Sequence, residues 1–557
     1  MKKYLLLIFF TGISTALFCQ WNGNPSINNA LSNSNILSEL EPVSVPDGNS
    51  GSIVIMQDIN TTDLYAQRIT NEGIIAWGDS VNPVLIRSGA TYHIKHTAIA
   101  DGAGGAYIAW LDFEDDPLLA EVYMQHIDAN GIKLWPVSGL RITNTSTQDE
   151  YDVYMCSDGV GGVIVAYNWD NYLDDASISA QRITSSGNIL WTTNGVNIGS
   201  SNGFRWGSDI ISDKNNGAIL LFTDTRNNTN GNDYYYLFQS PTANPLTNLD
   251  LYAQRINSSG NLLWGTNDAP VCTEPDNQNT DKAGMIADSV GGAIFAFNDK
   301  RNDPSINGSF DIYAQKINAS GAPKWALNGV PVILSPGNEY INAAISDGNR
   351  GLVASWQDQN NFRIYAQRID SAGNSLWAPA GLPITPTIDV ANNPKLILDS
   401  SKNYVCVFES FNIISVIKAQ KINSSGTLQW NANGVPVCIN PDATPASPKL
   451  VLSANSTLIV TWEDFRHANT GTPDIYTSKL RDNGTLASAG GEYISISNGN
   501  WNNASIWNNN SVPPLNAYVI VRHQVQLNVN ANIQTIKIEL PNGHLTVLSG
   551  RVLTISN

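Results

Sequence analysis

One segment recurs seven times along the chain and limits what it can fold into. It reads DLYAQRITNEGIIAW, EVYMQHIDANGIKLW, SISAQRITSSGNILW, DLYAQRINSSGNLLW, DIYAQKINASGAPKW, RIYAQRIDSAGNSLW and VIKAQKINSSGTLQW. The copies end at Trp77, Trp135, Trp191, Trp264, Trp325, Trp377 and Trp430, which lie 58, 56, 73, 61, 52 and 53 residues apart. An eighth, degenerate copy, DIYTSKLRDNGTL, starts at Asp474. An apolar run such as GAYIAWLD or GGAIFAFND precedes each copy, and before it comes a short stretch ending in a turn, such as AAISDGNRG. After each Trp comes one more short run, such as NGVPVIL. Each unit therefore holds four strands, here named a to d. Asp-Gly and Gly-Gly between a and b, and Ser-Gly or Asn-Gly between c and d, tolerate the positive φ of tight hairpins. Four-stranded antiparallel units repeated about eight times predict an all-β chain built as a β-propeller. A β-solenoid has much shorter coils than these units.

Composition agrees. There are 15 Trp and 20 Tyr against 5 Met, 42% hydrophobic residues and only 14% charged ones. Aromatic residues suit strands, and no helical periodicity is seen. In strand c, Tyr65, Gln67 and Ile69 share one face and Ala66 and Arg68 the other. The recurrent Gln67, Gln125, Gln181, Gln254, Gln315, Gln367 and Gln420 read as buried structural amides, because a repeated environment satisfies each identically.

The ends differ from the middle. Lys2 and Lys3 precede the apolar run LLLIFF, which leads to Ala16-Leu17-Phe18-Cys19. That pattern is expected to be a secretory signal peptide over residues 1–19, with acylation at Cys19 as the alternative. The propeller is expected over 20–490. No later apolar stretch is long enough to span a bilayer. From Gly491 the pattern becomes GNWNNASIWNNNSVPP and a series of short strands, so 491–557 is expected to be a small β-helix-like or β-sandwich-like module, truncated or capping. The mature start, QWNGNPSINNAL, matches strand d of the repeat, as in QWNANGVPVCIN. Residues 20–31 are thus expected to pair with 475–480 and close an eighth blade.

With its DGxGGAIVAW…DIYAQRINxxGxxLW pattern, the chain resembles secreted surface proteins of Bacteroidetes-type bacteria, and its tail resembles the start of a β-helical module found with them. The resemblance implies export by the type IX secretion system, for which a C-terminal sorting domain is usual; none is visible up to Asn557.

Chemistry is sparse. No HExxH, GxSxG or Walker-type loop occurs, so no catalytic residue and no metal ligand is assigned. His93 and His96, in YHIKH, read as surface residues. Cys156, Cys272, Cys406 and Cys438 match no metal spacing and are expected as free buried thiols. Acids recur in the b-to-c loops as Asp58 and Asp63, Asp112 and Glu121, Asp299 and Asp311, and Asp464 and Asp474. They could take Ca²⁺, the one cofactor in view, but without a compact DxDxD loop they read as turn caps. Arg226, Arg301 and Arg466 each follow an Asp by two positions and are expected to neutralise it.

A net charge of -17 argues against a nucleic-acid partner. What remains is a secreted or outer-surface binding or adhesion scaffold, monomeric, for a surface glycan or protein; the alternative is a glycan-active lyase or glycosidase. Ligand residues are sought where the repeat is broken. The candidates are Trp169 and Tyr172 in unit three, Phe204, Arg205 and Trp206 on entry to unit four, and Tyr234, Tyr235, Tyr236 and Phe238 in the insertion behind the 73-residue step.

Overall fold

The computed structural model describes residues 21–555 apart from 33–37, 90, 115, 146, 172–175, 200–203, 228–248, 276–277, 304–308, 335–336, 387–388, 467–472, 488–491, 508–511, 514–516, 534 and 539–541. It is nearly all strand, and two compact units are distinguished: 23–71 with 75–486, and 487–557 with 1–22 and 72–74. Among the described residues no helix is long and apolar enough to cross a membrane.

The larger unit is an eight-bladed β-propeller. Blade one is Glu39–Pro46, Ser52–Asp58, Leu64–Ile69 and Val84–Arg87, joined in that order as an antiparallel sheet. Six further sheets repeat this order, with strand a beginning at His93, Asp149, Arg205, Gln278, Glu339 and Val390. In blade eight, Ala446–Leu452, Leu458–Asp464 and Asp474–Leu480 are completed by Asn29–Ala30, in register with Thr477 and Tyr476. The Asn28 side-chain amide donates to Val437 O at 2.8 Å and the Leu31 N–H to Ile475 O at 2.8 Å, so the chain's start fills the place of the missing strand d. Trp21 is fully buried over Gly73. Strand a of each blade abuts strand a of the next all the way round, so these strands surround the axis.

The repeat is spent on holding blades together. Strand b is covered on both faces by neighbouring blades, so SIVIMQD and AYIAWLD are buried throughout. Each recurrent Gln is fully buried. Gln254 accepts from the Arg255 and Trp264 N–H groups at 2.9 Å and donates to Gly265 O, stapling strand c to the turn that follows. The indole N–H of Trp77 then crosses to Ala129 O of the next blade at 3.0 Å, and its ring covers Gly131. A Cβ on Gly131 would lie 3.0 Å from that ring. The same stack repeats to Trp430 over Gly484. The a-to-b turn acid joins in: Asp47 accepts from the Asn49 and Gly51 N–H groups and pairs with Arg68, which also reaches Ala129 O.

The C-terminal unit pairs its strands in parallel, as the β-helical alternative requires and a sandwich does not. Glu492–Ile494, Tyr518–Val521 and Thr535–Ile538 form one ladder, and Gly499–Asn500, Gln524–Leu527 and His544–Val547 a second. Trp501 and Trp507 anchor its core edge-to-face, 5.0 Å between centroids.

Candidate functional site

Most acids flagged in the sequence are already occupied. Asp58 accepts from the Ser38 and Asn60 N–H groups, as a turn cap does. Glu121 is held by Arg141, the Thr143 hydroxyl and the Thr145 N–H. Arg226, Arg301 and Arg466 pair with Asp224, Asp299 and Asp464 at 2.6, 2.5 and 2.6 Å, as their spacing predicted. Each guanidinium also lies 3.8–3.9 Å from the centre of a strand-c tyrosine ring, Tyr252, Tyr313 or Tyr476. Among the described residues no group of three or more His, Cys, Asp or Glu is arranged to hold a metal ion. The four cysteines are free and buried, and burial pushes their thiols up.

His93 and His96 are not surface residues: they are 0% and 7% exposed. The reason is local. Strand a carries a bulge in every blade, after Leu40, Ile94, Glu150, Gly207, Asn279, Ile341, Asn392 and Ala446. A bulge adds residues to one strand and breaks the alternation of its side chains. His96 sits in one and turns inward, where its Nε2–H donates to Glu41 O at 2.8 Å. Burial holds its pKa low and the ring neutral. His93 lies beside Asp112, which Arg87 and the Trp110 indole already hold.

The bulges make the wall around the axis polar and unlike from blade to blade. Non-glycine residues in them take left-handed φ: Glu41 at 54°, Lys95 at 56°, Asn393 at 47° and Ser447 at 54°. The blade before supplies the lock in several cases. Glu463 accepts the Glu41 N–H at 2.9 Å, Glu409 the Ser447 N–H at 2.7 Å, and Asn168 pairs with both backbone groups of Gly207.

The nine candidate ligand residues divide. Tyr172, Tyr234, Tyr235, Tyr236 and Phe238 lie outside the described residues. Trp169 is buried, its indole donating to the Ser179 hydroxyl at 3.0 Å. Arg205 is buried against Asp224 at 2.9 Å. Phe204 and Trp206 are half-buried. Trp206 meets Tyr151, 5.6 Å between ring centres with the planes at 47°. Tyr151 and Asp152 form the bulge of blade three, and Asp152 pairs at 3.2 Å with Lys95 from the bulge of blade two. The structure thus joins one expected residue, Trp206, to Tyr151, and the neighbouring Asp152 to Lys95, three residues that the sequence does not single out. A proline within strand a, as at Pro42, Pro394 and Pro448, signals such bulges. Blades two and three have none.

No family model and no curated protein matches the chain. Solved structures are similar to the chain at low identity. A lectin from Burkholderia pseudomallei is 9% identical over 71% of this chain and 98% of its own, with a TM-score of 0.42. A protein of unknown function from Dyadobacter fermentans is 10% identical over 61% and 96%, at 0.35. An α-L-arabinofuranosidase from Fusarium graminearum is 11% identical over 60% and 93%, at 0.32.

Proposed function

We propose that the protein is a secreted or cell-surface, non-catalytic scaffold of adhesion type that presents a binding site on its propeller. One observation carries this reading. The polar residues that recur staple each blade or tie it to the next in one repeated scheme, whereas the polar residues of the strand-a bulges, including Lys95 and Asp152, belong to no repeat. A side chain repeated in every blade builds the ring; one that differs is available for recognition. Three propeller histidines fit the same reading, since a general base needs an accessible nitrogen within reach of substrate: His93 and His96 are buried, and His126 is tied to Asp101 at 3.0 Å.

The test is a glycan and surface-protein array probed with the purified chain, with released products assayed in parallel. Specific retention without product is expected. Turnover of a polysaccharide, abolished by one point substitution, would make the protein an enzyme. Fractionation of the producing cells should find the chain in the medium or on the outer surface.

A further inference from the structure

Three blades are linked through the strand-a bulge of blade three, whose consecutive residues Tyr151 and Asp152 each reach a neighbouring blade. Blade two gives Lys95, whose side chain is 61% exposed; blade three gives Tyr151 and Asp152; blade four gives Trp206. The aromatic pair is tilted and half-buried, and the ion pair starts from the next residue of the same bulge, with Asp152 22% exposed. Fold stability does not account for the ion pair: an exposed pair contributes little, and a left-handed non-glycine residue such as Lys95 costs at least as much. Nor does the repeat require it, since the other bulges hold different residues.

The chemistry fits one ligand class. An aromatic face accepts the C–H face of a sugar ring, while an ammonium and a carboxylate, one donating and one accepting, read its hydroxyls. The two charges cancel, which favours a neutral sugar over a uronic acid or an amine. A folded protein partner needs roughly 800 Å² on its side of an interface. Two aromatic rings and one ion pair on the inner strands supply far less.

We infer that this patch binds a neutral glycan, one sugar ring stacked on Tyr151 and Trp206 with its hydroxyls between Lys95 and Asp152. This rests on the binding reading above. The experiment is affinity electrophoresis of the whole chain through gels containing soluble β-glucan, mannan, galactan or, as the charged comparison, pectate. Wild type should be retarded by at least one neutral polymer. Trp206→Ala should weaken that at least tenfold, and Lys95→Met, at a site too exposed to disturb folding, about threefold. Ile413→Ala, at an 87% exposed position in blade seven, should bind as wild type does. Melting curves show which variants remain folded.

Retardation unchanged in folded Trp206→Ala and Lys95→Met would overturn the inference and leave the binding reading standing. Retardation by pectate alone, or by no polymer, would also overturn it, as would a protein ligand from the array whose binding Lys95→Met abolishes. Release of sugar from the gel polymer would overturn the binding reading instead.

Discussion

The two ends of each blade follow opposite rules. At the end with the a-to-b and c-to-d turns the blades follow one scheme: the Trp77 stack on Gly131 is the Trp377 stack on Gly426, and the turn acids Asp47, Asp158, Asp213 and Asp347 each hold an arginine, Asp101 a histidine and Asp399 a lysine. At the opposite end, where strand a begins, the first residues are Glu39, His93, Asp149, Arg205, Gln278, Glu339, Val390 and Ala446. One end is fixed by having to fit its neighbour in the same way each time. The other is free of that demand, and chemistry can collect there.

The contrast can be broken most severely at the closure. Deleting residues 21–31 removes the closing strand and the fully buried Trp21. Loss of a buried Trp alone costs about 4 kcal/mol, so the melting temperature should fall sharply. An unchanged melting curve would mean that Asn29–Ala30 does not close the ring.

Acidity acts at the variable end. Burial, reinforced by Asp474 and Asp58, raises Glu39 from 4.5 to about 8. Burial, reinforced by Glu121 and Asp149, raises Glu150 from 4.5 to about 9. Both side chains are buried, and the packed oxygens of neither meet a donor at full hydrogen-bonding geometry; Ser32 and Thr143 are the hydroxyls near them. The folded state therefore holds these protons more tightly than the unfolded state does. The stability they contribute is complete below 4.5 and is lost as pH rises through about 8 and 9. Thermal melts between pH 5 and 9 should show the midpoint falling with pH, and Glu150→Gln should flatten that slope. A slope unaffected by both Glu150→Gln and Glu39→Gln would assign it to other groups.

The seam can be sharpened with a pair of glycines. Gly131 and Gly265 have similar φ, +79° and +76°, but only Gly131 lies under a tryptophan; a Cβ on Gly265 meets nothing within 4 Å. Gly131→Ala should cost about 2–3 kcal/mol, backbone strain plus overpacking, and Gly265→Ala about 1 kcal/mol. Equal losses in denaturant titration would mean that the indole contact adds nothing. The smallest effect belongs to Lys95→Met, expected to change stability by no more than about 0.5 kcal/mol. A larger loss would return Lys95 to the scaffold.

What was legible in the sequence follows the same division. Gln254 and Trp264 could be read because their environment recurs in every unit, and their partners proved to be the local and next-blade backbone. The eighth blade was legible because QWNGNPSINNAL copies a strand whose place was vacant. His93 and His96 read as surface residues because YHIKH shows no partner nearby in sequence; their partners, Asp112 and the Glu41 carbonyl, lie on other strands. Trp169 and Arg205 were sought as ligand residues because they depart from the repeat, yet a departure can also be buried, as both are. Tyr151 and Asp152 carried no signal: the first half of strand a has no recurrent motif, and its neighbours come from other blades.

Closure by the chain's own beginning has a consequence for when the fold can be completed. Asn28 meets Ser478, 450 residues away, so the last sheet cannot form until nearly the whole propeller sequence is present. Long-range closure is slow and costs chain entropy. Until it occurs, the third strand of blade eight presents an open edge to which another copy's first residues could add in place of its own. Order of emergence therefore matters: the earliest segment must wait for the latest, and a chain synthesised from its N-terminus stays unlocked until synthesis of the propeller is almost over.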